Sequence, residues 1–212
     1  MSAFIEPLIL YAVLFFRFST GNVPAGEAVE FSVAAEAARI TLYNIPSLAL
    51  VWYLLLKVKS LKEWGIAIPG KNDLLAAAVT FPALVLTGLT ISAVSRFFTE
   101  IPSGSLFLPP EDPVSWCVLV VSCTSSAYLE ESFFRFYLLS KRAELGLGPY
   151  RAVLISTLLF SVCHIYEGPW GFLNAALSGI LIAFIFLRSR SLHGIAFAHA
   201  LYNVLVYILN AT

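Results

Sequence analysis

Charged side chains are scarce in this chain: Asp, Glu, Lys and Arg make up 12% of its 212 residues, against 59% hydrophobic ones. A water-soluble domain carries about twice that charge, so the scarcity and a mean hydropathy of +0.84 point to a membrane protein. No basic or acidic tail exists and the formal net charge is zero, which removes any electrostatic ground for a nucleic-acid partner. Disulfides are equally unsupported. The three cysteines, Cys117, Cys123 and Cys163, are odd in number, form no CxxC pair and lie in apolar sequence, where a thiol is ordinarily a small packing residue. Only Cys163, beside His164, is kept as a remote candidate nucleophile. A cleavable signal is missing too: MSAFIEPLILYAVLFFR has no Lys or Arg ahead of its apolar run and carries Glu6 and Pro7 within it, so a retained span or half-span is expected. With no repeat, low-complexity tract or linker, residues 1–212 read as a single transmembrane domain.

What the chain does have is apolar runs, at 3–18, 38–57, 74–98, 113–140, 150–166, 169–188 and 191–210, against the roughly 20 residues a span needs. The expected fold is all-α, a polytopic transmembrane helical bundle of about seven spans, the first and fifth of them short. Segment 26–39, with Glu27, Glu30 and Glu36 near helical spacing, is expected to lengthen the second helix or to lie along the interface. Pro46 is expected to kink that helix. Lys57, Lys59, Lys62 and Lys71 lie between spans two and three, Lys141, Arg142 and Arg151 between four and five, and Arg188 and Arg190 between six and seven. The intervening loops hold Glu100, Glu111 and Asp112, or only Glu167. The positive-inside rule places the basic loops and the N-terminus in the cytoplasm and the C-terminus outside, in a plasma or inner membrane.

A few ionisable groups remain deep in apolar sequence: Glu130, Glu131 and Arg135 in the fourth run, His164 in the fifth and His199 in the seventh. Facing lipid unpaired, each would cost several kcal/mol, so such residues are functional candidates by default. At about 1.5 Å of rise per residue, Glu130 lies roughly 16 Å from Lys141, His164 roughly 20 Å from Arg151, and His199 roughly 14 Å from Arg190. Three runs therefore deliver a proton-handling group to one membrane level. Glu131 and Arg135, four apart, can pair across one turn, as a structural brace or as part of a site, and Glu130 is then free to face a cavity. His199 and Asn203 share a face at the same interval, and Phe160 can pack beneath His164. His193, beside Gly194 and Arg190, and Glu6 read as interfacial.

These residues spell motifs. Glu130-Glu131-Ser-Phe-Phe-Arg135 resembles the EExxxR motif, Phe160-Ser-Val-Cys-His164 the FxxxH motif, and His199-Ala-Leu-Tyr-Asn203 the HxxxN motif of the CPBP (Abi) family of intramembrane proteases, which includes CAAX prenyl proteases and bacteriocin-processing enzymes. The motifs occur in the family's order over residues 113–210, the catalytic half. The first half resembles it only in hydropathy and in the GIAIPGK stretch. Where the family usually has a small glycine soon after the Arg, this chain has Phe136. The resemblance implies a helical fold with a cavity open to the cytoplasmic side and to lipid. It also implies that Glu130 activates water with help from His164, that His199 and Asn203 hold the oxyanion, and that Glu131 and Arg135 brace the site.

Peptide hydrolysis needs such a base and such donors. A zinc version is the near rival, since Glu130, His164 and His199 make a His₂Glu set; the absence of HExxH and the presence of Asn203 favour no cofactor. A proton relay or transporter site, or an immunity-type binding protein, would use the same groups without hydrolysis. The expected substrate is a peptide or protein that brings its own membrane anchor: a CAAX-like tail, a leader peptide or a C-terminal sorting tail.

Overall fold

The computed structural model describes residues 2–15, 28–66, 68–98 and 106–209. Helix α1 is Ser2–Phe15, and α2 (Val33–Ala38) starts at Ser32, whose side chain accepts from Ala35 N. A π-helical segment, Arg39–Asn44, joins α2 to α3 (Ile45–Val58). Pro46 thus sits in the first turn after that widened segment, where a missing N–H is tolerated. Helix α4 is Lys71–Ser95, and α5 (Pro113–Glu130) runs through a second π-helical segment, Glu131–Tyr137, into α6 (Leu138–Ser140). Then come α7 (Pro149–Val162), α8 (Gly168–Ser189) and α9 (Leu192–Leu209).

Among the described residues the architecture is helical, with one two-residue parallel pairing between β1 (Ala28–Val29) and β2 (Leu106–Phe107). Four helical stretches among the described residues are long and apolar enough to cross a bilayer: Val33–Leu56, Lys71–Ser95, Ile165–Ser189 and Leu192–Leu209. The first and fifth expected spans are shorter apolar helices, Ile5–Phe15 and Pro149–Val162. The fourth follows one helical path but is diluted by hydroxyl side chains. Of segment 26–39, Val33–Ala38 does lengthen the second span; Glu27 and Glu100 lie outside the described residues.

Those hydroxyls hold the bundle together. Ser122 accepts from Arg39, Ser125 and Ser126 accept from Asn44 Nδ2 at 2.8 and 3.0 Å, and Ser132 accepts from Trp52 Nε1 at 3.2 Å. Lipid tails are as apolar as the side chains they solvate, so helices in a bilayer associate through close packing and such polar contacts. Large apolar residues such as Leu74, Leu75, Val79 and Leu86 meanwhile cover the outside of α4.

Helix α4 packs on α8 and α9, α5 on α9, and α7 on α8. Glycine sets the closest of these approaches: a Cβ on Gly194 of α9 would come within 2.4 Å of Asp73 O and 2.7 Å of Ala76 Cβ on α4. Phe133 and Phe134 form the centre of the core with Tyr11 and Phe15 of α1, with ring centroids 4.7 to 6.5 Å apart. Phe136 is buried in an aromatic cage, 5.5 Å from both Trp52 and Trp64 and 6.0 Å from Phe186. The neighbours thus fill the space that a glycine there would leave to a closer helix.

Candidate active site

Glu130 is the last residue of α5 and Glu131 the first of the π-helical segment. A π-helix is rare and tends to mark functional sites because its extra residue per turn re-aims the side chains around it. The consequence is a division of labour between adjacent carboxylates. Glu131 is fully buried, with Oε2 3.2 Å from Arg135 Nε and Oε1 2.8 Å from His199 Nδ1. Glu130 is 21% exposed in its side chain, and its Oε2 stands 3.8 Å from His199 Nε2 with no hydrogen-bond partner.

Arg135 is also wholly buried. Besides Glu131 it meets Gly179 O through Nη2 at 3.4 Å and lies 4.2 Å from the centre of the Phe160 ring. A buried cation needs this surround, because desolvation in a low dielectric otherwise exceeds the attraction of one partner. Phe160 in turn packs at a tilt against His164, with ring centres 4.5 Å apart, and meets His199 edge-on at 6.1 Å. One ring therefore supports the guanidinium and both imidazoles.

The hydrogen bonds assign the imidazole protons. His164 Nδ1 lies 2.9 Å from Phe160 O; a carbonyl only accepts, so Nδ1 carries hydrogen, and in the neutral ring it is Nε2 that holds the lone pair. In His199, Nδ1 faces the Glu131 carboxylate and donates to it, which leaves Nε2 on the Glu130 side.

A cavity of about 390 Å³ brings these residues together: Glu130, His164, His199, Asn203 and Phe160 all line it. A small lobe of about 50 Å³ continues it past Glu130 and His164 to Cys163 and Asn44. Glu131 and Arg135 stand behind the wall. Cys163 itself is buried, with Sγ 3.3 Å from Leu159 O and 3.6 Å from the Tyr11 hydroxyl. The two residues expected at the interface make contacts of their own: His193 meets the Tyr128 hydroxyl at 3.1 Å, and Glu6 binds Tyr137 at 2.7 Å and Lys141 at 3.1 Å.

Residues 112–205 match the Rce1-like family of type II CAAX prenyl endopeptidases. The Rce1-like stretch runs from the cap of α5 through His199 and Asn203, and agrees with the CPBP resemblance carried by the three motifs. No curated protein and no solved structure matches the chain. Over residues 112–205 the chain is thus similar to CAAX-type endopeptidases, and among the described residues it has four helices long and apolar enough to cross a membrane, as an integral membrane protein would.

Among the described residues no group of three His, Cys, Asp or Glu side chains could hold a metal ion. Glu130, His164 and His199 share the cavity but, as placed, do not converge into the His₂Glu set that a zinc site would need.

Among the lining residues that the sequence did not mark as part of a site are Glu36, Arg39, Tyr166 and Glu167. Arg39 donates to Glu36 Oε2 at 2.6 Å and to Ser122 at 2.7 Å, and both charges face the cavity, as do Tyr166 and Glu167. The signal for the first pair was available: Glu36 and Arg39 are three apart on a short Ala-rich helix, close enough to pair. The cavity's position corrects one pair of expectations taken together. Its outer residues, Glu36, Glu167, Asn203 and Tyr207, lie toward the ends of α2, α8 and α9 remote from the basic loops. Cytoplasmic basic loops and a cytoplasmic mouth are therefore incompatible.

Proposed function

We propose that the chain is an intramembrane endopeptidase in which Glu130 and His164 activate water and His199 and Asn203 hold the oxyanion. The observation that carries this reading is the shared cavity, lined by Glu130 and by two imidazoles fixed from behind, with a Glu130 oxygen that has no hydrogen-bond partner 3.8 Å from His199 Nε2. Glu130, with the His164 Nε2 lone pair beside it, takes a proton from water as the oxygen attacks the scissile carbonyl. The tetrahedral oxyanion accepts from Asn203 Nδ2–H and from the cavity-facing nitrogen of a His199 ring that carries both protons. As the C–N bond breaks, the proton held on the carboxyl passes to the leaving amine. Glu131 and Arg135 keep the His199 ring in place.

The substrate brings its own lipid or transmembrane anchor, because the described chain outside the helices offers little surface for a soluble protein. A CAAX-like tail, a leader peptide and a sorting tail all meet that condition. The reaction proceeds without a metal, and the basic loops face the cytoplasm of a plasma or inner membrane.

Purified protein in bilayer discs, incubated with membranes from cells lacking it, tests the chemistry. Glu130→Gln or His164→Ala should lower cleavage about 10²–10⁴-fold, and Asn203→Ala about 10²–10³-fold, with unchanged unfolding temperature. Wild-type rates from the Glu130→Gln protein would end the assignment. Stoichiometric zinc, with activity lost in strong chelator, would replace it by the metal version.

A further inference from the structure

We infer that the cavity is fed from the extracytoplasmic half of the bilayer, so that its substrate is an anchored polypeptide whose cleavable segment lies on the outer side. The substrate class rests on the protease reading above; the orientation does not.

Nine of the 13 Lys and Arg residues cluster at one end of the bundle, in or beside the loops that join α3 to α4, α6 to α7 and α8 to α9. Contacts tie these loops together. Asn72 Nδ2 donates to Ser189 O at 2.9 Å, Ser191 Oγ donates to Asp73 at 2.5 Å, and Trp64 and Phe186 both pack on Phe136. Of the other described Lys and Arg residues, Arg135 is sealed in the core, Arg39 is paired with Glu36, and Arg96 caps the end of α4 remote from those loops. Short loops with such a bias are retained on the cytoplasmic side.

The cavity is closed toward that basic end. Ile182 forms its floor, and Phe186, Leu192 and Ile195 beyond it are 0 to 2% exposed. In the other direction the lining becomes polar and half-buried: His199 gives way to Asn203 and Tyr207 along α9, and Ser178 to Asn174 and then Glu167 along α8. At about 1.5 Å per residue, Asn203 to Tyr207 covers roughly 6 Å of outward path. Water and an extended peptide can therefore reach Glu130 from the end remote from the basic loops, whereas a cytoplasmic tail would have to cross the packed floor.

The test uses the full chain with Cys117, Cys123 and Cys163 replaced by Ala. Single cysteines E111C, V206C and K62C are exposed to a membrane-impermeant maleimide in right-side-out vesicles. E111C and V206C should be labelled directly, and K62C only after permeabilisation; the reverse pattern overturns the inference. An epitope inserted after Lys62 in the otherwise native chain, read by antibody on the same vesicles, gives the answer should the cysteine-free protein fail to fold. For substrate class, peptide termini present with wild type and lost with Glu130→Gln should map to extracytoplasmic segments of their parent proteins. Cytoplasmic positions overturn it. No Glu130-dependent termini, with V206C still labelled from outside, would remove the protease reading and the substrate class with it while the orientation stands.

Discussion

Glu131 does more than pair with the arginine one turn away. Its two oxygens are divided between Arg135 and His199, so a change in either partner is felt by the other through one buried carboxylate. Removing one member of a buried charge group leaves the rest uncompensated, at a cost of about 3–5 kcal/mol. Glu131→Gln or Arg135→Met alone should therefore lower the unfolding temperature sharply, and the double replacement should recover part of the loss. Additive losses would show that the pair is not coupled. The i,i+4 spacing made Glu131 and Arg135 legible as a pair in the sequence, and the depth argument selected Glu130, His164 and His199. The bond from Glu131 to His199 was not legible, because it depends on the rotation of α5 against α9, which no spacing within one helix reveals.

At the scale of elements, two π-helical segments and a few glycines decide where the side chains point. Both segments, Arg39–Asn44 and Glu131–Tyr137, contribute to or border the cavity. A reading based on 100° per residue could not foresee them, since widening of a helix is a tertiary effect with little local signature. Glycine is a second lever. Gly194→Ala would press a methyl against the Asp73 backbone and should cost about 1–3 kcal/mol, while Gly179→Ala, whose nearest new neighbours are Thr157 and Phe160 at 3.2 Å, should cost less. Thermal unfolding of the two variants checks the order. The cap of α5 adds a pH dependence outside the bilayer. Asp112 accepts from Ser115 Oγ and from the amides of Ser115 and Val114, and these bonds, Ser115 foremost, hold its carboxyl below the usual range. A lowered folded-state value means that its stabilisation is complete above the ordinary carboxylate range and is lost as pH falls through the lowered value. Asp112→Asn should flatten that acid limb of the stability profile and leave the neutral region little changed; an unaltered limb would assign it to other carboxylates.

For the whole molecule, the helical class and the membrane setting follow from composition, because a chain so apolar has no soluble solution to backbone hydrogen bonding. The number of spans was less legible. Hydropathy alone does not separate a crossing helix from a short one such as Pro149–Val162, or recognise that the serines of α5 are inter-helix contacts. The polar mouth was hidden for the same reason: the Glu36–Arg39 pair is distant in sequence from Glu167 and shares a cavity with it only once the helices pack. The account stands on Glu130, His164 and His199 reaching one cavity, and proximity can be measured without a substrate. In chain otherwise free of cysteine, the pairs E130C with H164C and E130C with H199C are treated with mercuric ion, and bridging is read from intact mass. Both pairs should bridge, while E130C with a cysteine at lipid-facing Leu154 should not; failure of both site pairs in folded protein would contradict the shared cavity.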